Sequence, residues 1–345
     1  MNLFKEEETA GNAYRLQQYQ ELLDFIENQR ALSTLRREQY FQPDCSSEAA
    51  YVRSSTPYRH RLKAMLGWPL TEPPQPPVTD TASFVQIGED ELGSIYRANI
   101  PVMEGLTAYG LYFLPHGEGP FPLVVSQHGG QGTPELCSGF FGSENYHDMT
   151  RRVLRRGAAV FAPQLLLWNA ERFGPEFQRQ HLDTQFKQLG SSLAAIELFK
   201  IQGCINKLLE RPELDTNRVG MIGLSYGGFY TLFTAAIDTR IQVSVSSCFV
   251  NDRFRYDWPD WTWFNAGNML LDGEICGLVC PRPLYLEAGE DDELFHPEGF
   301  RAVSAQVMRY YEALGIADKF SSQVFKGTHE LNPQEDPVDF LFKWL

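Results

Sequence analysis

The chain has 345 residues, with 30 Lys and Arg against 44 Asp and Glu, a formal net charge of −14. This length suits about two ordinary domains or one enlarged α/β domain, and a composition of 43% hydrophobic and 21% charged residues excludes a disordered or low-complexity chain. The acidic balance excludes the basic face that a nucleic-acid binder or an anionic membrane surface requires. No apolar run approaches the ~18 residues of a membrane span.

The N-terminus, Met1 to Glu8, carries no apolar segment of the signal-peptide kind, so the expected setting is cytoplasmic. The six cysteines are accordingly expected as reduced thiols. Cys276 and Cys280 form a close pair, but no second pair or histidine stands at zinc-site spacing, so no metal is expected.

In chain order, residues 13–41 read as a helix. Leu16, Tyr19, Leu22, Leu23 and Ile26 recur at three- and four-residue steps and make one apolar stripe. The stripe either packs on the chain's own core or meets a second copy in a homo-oligomer. Residues 68–79 hold five prolines, which fit neither a helix interior nor a central strand, and read as a linker. Residues 1–80 are therefore expected to form a helical extension with a Pro-rich linker, ahead of a catalytic domain over 81–345.

From there, Ala82–Ile87, Ser94–Ile100 and Leu106–Leu114 read as antiparallel strands. Compact apolar strands follow at Pro122–Gln127, Ala158–Ala162, Val219–Gly223, Val243–Ser247, Pro283–Ala288 and Gln323–Phe325. Helical stretches such as 191–210 and 298–314 lie between them. Strands alternating with helices imply a mostly parallel sheet covered on both faces. Residues 164–190 and 250–278 break the rhythm and read as insertions above the sheet.

The chemistry centres on Gly223-Leu224-Ser225-Tyr226-Gly227-Gly228, between the strand Val219–Gly223 and the apolar helix Phe229–Ile237. A serine on such a strand–turn–helix elbow is lifted clear of the sheet at a helix N-terminus, and its neighbours two residues away must be small. A serine hydroxyl needs a base. Acid and histidine follow the nucleophile in this arrangement, which leaves His296 and His329 of the seven histidines. His329 stands in a Gly-containing loop after a strand, where open α/β sheets bind ligands; His296 adjoins the acid loop and precedes Pro297. The acid is expected after Pro283–Ala288, in Glu290-Asp291-Asp292-Glu293. Asp292 is favoured by its offset from Gly289, with Asp291 the alternative. Its role would be to hold the imidazole tautomer. Two N–H donors should form an oxyanion hole, one from Tyr226 and one from the loop His128-Gly129-Gly130, where Gly130 is favoured. His128 itself reads as structural.

These motifs, together with Asp215-Thr216-Asn217-Arg218-Val219-Gly220 ahead of the elbow, resemble the α/β-hydrolase superfamily. The resemblance leans toward the branch of dienelactone hydrolases, acetyl xylan esterases and prolyl-oligopeptidase-like enzymes. It covers residues 82–345 and implies an α/β-hydrolase fold: a mostly parallel sheet with helices on both faces, the N-terminal helical extension and lid-like insertions. Dienelactone hydrolases carry a cysteine nucleophile where Ser225 stands, and no repeated blades of an oligopeptidase propeller are visible. The resemblance therefore implies a serine esterase acting on small-molecule esters, acylated sugars among them, through an acyl-enzyme and without a cofactor. A small peptidase or amidase on the same triad, and a non-catalytic binding protein, are the competing readings.

The aromatic segment around Trp258, Trp261 and Trp263 reads either as the packed core of a lid or as a substrate-stacking wall. Arg172, Arg179 and Arg253 read as solvated surface arginines, or else as a fork for a substrate carboxylate.

Overall fold

A computed structural model describes residues 1–71 and 81–345; residues 72–79 of the expected linker lie outside the described residues. Trp68, at the start of that stretch, is buried, edge-on to Phe199 with centroids 5.8 Å apart and under the Lys63 ammonium. It belongs to the packed body.

The N-terminal helix spans Asn12–Tyr40. A second helix, Glu48–Leu66, which the sequence reading did not find, begins at Ser47. The Ser47 side chain accepts the Ala50 N–H at 3.1 Å, and Gly67 ends the helix in the left-handed conformation with φ 77°. This is an N-cap and a glycine C-cap, each satisfying backbone groups the helix leaves unpaired. Its buried face carries Tyr51, Leu62 and Leu66. Tyr51 Oη donates to Gly277 O at 2.9 Å, and Arg59 donates to Ala236 O at 2.5 Å.

Nine strands form one sheet: β1 Ser83–Asp90, β2 Gly93–Met103, β3 Leu106–Pro115, β4 Phe121–Gln127, β5 Ala159–Gln164, β6 Leu214–Leu224, β7 Ile241–Ser247, β8 Leu284–Gly289 and β9 Phe320–Phe325. Their order is β1-β2-β3-β5-β4-β6-β7-β8-β9. The pairs from β5 through β9 are parallel, and β1 to β3 add an antiparallel flank. The expected mostly parallel sheet is therefore observed, with β6 starting five residues earlier than its apolar run.

Alternation along the strands sorts the core into two layers. Val219 and Met221 of β6 join one cluster with the helices Leu193–Leu208 and Tyr226–Ile237. Ile222 and Leu224 face the other, with Met149, Val153 and Leu341. A strand buried on both faces reads as a continuous apolar run, and 219–224 does. The carboxyl ends of β4, β6, β8 and β9 open on one edge, from which the conspicuous loops leave. No helix among the described residues is long and apolar enough to cross a membrane.

Candidate active site

Ser225 sits between β6 and the helix Tyr226–Ile237 at φ 60°, ψ −122°, a conformation costly for a residue with a side chain. The flanking glycines explain how the turn closes. A Cβ on Gly223 would lie 2.3 Å from Gly227 O, and one on Gly227 would lie 2.0 Å from Gln127 O. Either contact is far inside van der Waals distance, so the turn packs on itself and on the end of β4 only because both lack a side chain. The Ser225 N–H donates to Ser247 O at 2.9 Å, which ties the elbow to β7.

His329 and Asp292 meet. His329 Nδ1 lies 2.8 Å from Asp292 Oδ2, while Asp292 Oδ1 accepts the N–H groups of Leu294 at 2.8 Å and Phe295 at 2.9 Å. Burial would raise the Asp292 pKa; the bond to His329 and the two backbone N–H groups outweigh it and hold the carboxyl below its ordinary value. Asp291, the alternative acid, is exposed, and its N–H donates to Gly327 O. A Cβ on Gly289 would lie 2.0 Å from Thr328 O, so that glycine lets the histidine loop close onto the acid loop.

The histidine loop also touches the elbow's neighbours. Ser247 Oγ and Cys248 Sγ both reach Glu330 O, at 3.3 and 3.2 Å, and the Asn145 side-chain amide donates to His329 O at 3.2 Å. Phe295 stacks on the imidazole with centroids 5.5 Å apart and 21° between planes. Ser225 Oγ makes no hydrogen bond among the described residues. Such bonds are often long in an unliganded site and tighten on binding.

The loop after β4 is built as a rigid bracket. His128 is fully buried. Its Nε2 accepts the Leu165 N–H at 3.2 Å and its Nδ1 lies 2.9 Å from Gly129 O. Burial pushes its pKa down to about 4, which keeps the ring neutral in this bridging role. The Gly129 N–H is already taken, donating to Tyr146 Oη at 2.9 Å. Gly130, the next residue, is exposed against the Tyr226 ring, where a Cβ would lie 3.3 Å from Cδ2. Tyr226 occupies the first helical position, so its N–H has no intrahelical acceptor.

The aromatic segment divides. Trp258 lies parallel to Tyr226 at 6.2 Å, and Trp261 packs against Tyr226 at 4.4 Å and near Phe295 at 6.0 Å. Trp263 instead stacks on Phe229 at 5.9 Å and donates from Nε1 to Ser192 Oγ at 3.3 Å. It lines a separate cavity of about 240 Å³ with Phe233, Phe254, Leu270 and Ile275. Ser225, Asp292 and His329 are not in that cavity's wall. Trp261 is the ring common to the cavity and to the cluster around Tyr226.

Two of the three arginines read as solvated are instead largely withdrawn from solvent, with side chains 11% (Arg179) and 9% (Arg253) exposed. Arg253 is paired with Asp272 at 2.6 Å. Arg179 donates to Asp260 at 2.7 Å, to Glu197 at 2.9 Å and to Tyr230 Oη at 2.8 Å. Tyr226 Oη donates to the same Asp260 oxygen at 2.9 Å. Burial alone would raise the Glu197 pKa, but the Arg179 charge and its hydrogen bonds hold it below the usual value. All three guanidinium nitrogens of Arg179 are engaged within the protein, while Nη1 of Arg253 is buried without a hydrogen-bond partner among the described residues. Arg172 alone stays on the surface, paired with Glu144. Removing one partner of a buried network leaves charge uncompensated, so Arg179→Met is expected to lower stability by about 3–5 kcal/mol, read in urea unfolding.

Sequence reasoning missed Phe295, Tyr146, Glu197 and Asp260. Only Glu197 left a signal, a lone acid in the apolar run Leu193-Ala194-Ala195-Ile196-Glu197-Leu198. A charge there must be exposed or paired.

Comparison with known proteins agrees with this architecture. Residues 136–247 match the dienelactone hydrolase family. YtaP of Bacillus subtilis is 27% identical over 254 residues, covering 66% of this chain and 80% of its own. Among solved structures, a glucuronoyl esterase from Solibacter usitatus superposes with a TM-score of 0.62 at 14% identity, over 88% of this chain and 97% of that one. An acetyl xylan esterase from Paenibacillus sp. R4 gives 0.53 at 17% identity, over 88% and 98%. At these identities the structural likeness speaks for the fold.

Proposed function

We propose that this chain is a serine esterase of the α/β-hydrolase superfamily acting on small-molecule esters, sugar esters among them; the dienelactone hydrolase family match over residues 136–247 and the fold shared with esterases support this reading. The observation that carries this reading is the pairing of His329 Nδ1 with the buried Asp292 beside a serine held at φ 60° on the same sheet edge. With Nδ1 engaged by the carboxylate, Nε2 is the nitrogen available as base.

In the reaction, Nε2 takes the Ser225 hydroxyl proton as Oγ bonds to the ester carbonyl carbon. The oxyanion is held by the N–H groups of Gly130 and Tyr226. The C–O bond to the alcohol then breaks, and that proton passes from His329 to the leaving oxygen. Water, deprotonated by His329, attacks the acyl-enzyme and releases the acid and Ser225. Every proton is returned, and the residues named suffice without a cofactor.

Substrate scale follows from the walls. Tyr226, Trp258, Trp261 and Phe295 crowd the elbow, which favours a small acyl group, and Trp258 is partly exposed and offers a face for a sugar ring. The sugar-ester reading also draws on the glucuronoyl and acetyl xylan esterases among the structural neighbours. Six unpaired cysteines, five of them buried, fit the reducing cytoplasm proposed for it.

The test is hydrolysis of p-nitrophenyl esters from acetyl to octanoyl, with an aminoacyl p-nitroanilide alongside. Turnover of short esters is expected; turnover of the anilide alone would move the reading to an amidase, and no turnover with no fluorophosphonate labelling would end it. Trp261→Ala is expected to join the 240 Å³ cavity to the acyl site. It should raise octanoyl relative to acetyl kcat/KM by about tenfold or more, since each methylene accommodated in an apolar pocket is worth about 1–3 kcal/mol.

A further inference from the structure

The N-terminal helix does not pack as its stripe would suggest. Only its second half rests on the body. Ser33 is the buried residue there, Arg37 donates to Gly267 O at 2.5 Å, and Arg30 lies over the Phe254 ring at 5.3 Å. Residues 12–28 are all exposed, with only Phe25 and Ile26 among them lining a groove against Phe254 and Gly267, an arm of about 25 Å at 1.5 Å per residue. Leu16, Tyr19, Leu22, Leu23 and Ile26 are 67%, 62%, 61%, 38% and 45% exposed. The expectation that the stripe covers the chain's own core is therefore overturned. A helix held only at one end, with an apolar stripe in water, is unstable by itself because helices draw most of their stability from packing that stripe.

The spacing says what covers it. Leu16, Tyr19, Leu23 and Ile26 follow a 3-4-3 pattern that reads the same from either end. A two-fold axis near residue 21 then sets Leu16 against Ile26 of the partner subunit and Tyr19 against Leu23 of the partner subunit. A two-fold interface must be self-complementary in this way, and these are the alternating layers of an antiparallel helix pair. At these exposures the five stripe residues offer roughly 550–600 Å² per copy, so pairing them would bury up to about 1,100 Å² in total, just above the ~1,000 Å² a specific interface needs.

We propose that this chain forms a two-fold homodimer by antiparallel pairing of residues 12–28, leaving both candidate active sites independent of the contact.

Light scattering behind size exclusion, at micromolar concentration, tests it on the full chain. The wild type should show twice 39.3 kDa, and Leu16→Glu with Leu23→Glu should halve that mass with an unchanged circular dichroism melt, because both side chains are exposed. A double variant, Leu16→Cys with Ile26→Cys, should give an oxidised covalent dimer that Leu16→Cys alone does not. A monomeric wild type overturns the proposal, as does a dimer that survives both glutamates. Flotation of a monomeric wild type with phosphatidylcholine–phosphatidylglycerol vesicles would likewise overturn it and assign the stripe to a lipid surface.

Discussion

Ser225→Ala is expected to lower kcat on p-nitrophenyl acetate by about 10⁶ with KM little changed, because the oxygen that forms the acyl bond is gone and the remaining groups can only bind. A residual rate of about 10³–10⁴ over water should persist, supplied by the two N–H donors and substrate positioning. Stability separates this loss from misfolding. Alanine meets the same left-handed backbone as serine at φ 60°, so Ser225→Ala should leave the urea midpoint unmoved. Ser225→Gly removes the Cβ from that conformation and should raise stability by about 1 kcal/mol while losing activity equally. A Ser225→Ala protein with wild-type turnover would remove the nucleophile, and with it the proposed mechanism.

Asp292→Asn carries the second largest expected loss, about 10⁴ in kcat with the fold intact. The amide would donate to Nδ1 where the carboxylate now accepts, leaving the proton on Nε2 and no base facing the serine. Asp291→Asn is the control: that side chain points to solvent, and kcat should not change. Since the Asp292 carboxyl is held below its ordinary pKa, it stays ionised through mildly acidic pH. Its stabilising contribution is present above the unfolded value and fades only as pH falls through the lowered folded one. An urea-midpoint series against pH should therefore show Asp292→Asn with a shallower fall on the acid side than the wild type.

How far residues alone reveal this molecule depends on whether the relevant contact is local. The elbow was legible because its constraint lies within five residues: Gly223 and Gly227 touch each other, so the sequence pattern and the clash it avoids are the same fact. The parallel strands were legible from unbroken apolar runs. Asp291 and Asp292 could not be told apart with certainty, because the difference is which of two adjacent carboxylates turns inward, and that is set by the Leu294 and Phe295 N–H groups and by a loop 37 residues away. The helix Glu48–Leu66 was missed because Pro57 and a run of Ser and Thr argue locally against it, while its face of Tyr51, Leu62 and Leu66 finds partners only in the tertiary fold. Arg179 was misplaced for the same reason. Its partners Glu197, Tyr230 and Asp260 come from three elements distant in the chain.

Tyr226 has a consequence for how such a protein can change over generations. Its N–H adjoins Ser225, its ring faces Trp258 and Trp261, and its hydroxyl is anchored to Asp260 in the aromatic segment. Under the proposed mechanism one residue thus belongs both to the part that sets rate and to the part that sets scope. Drift in the aromatic loop would be felt at the serine, so new substrates should be reached more readily through positions that spare this tyrosine, such as Trp258, than through Asp260. Diversification would then be confined to the outer rim of the pocket, while the inner wall and the elbow are inherited together.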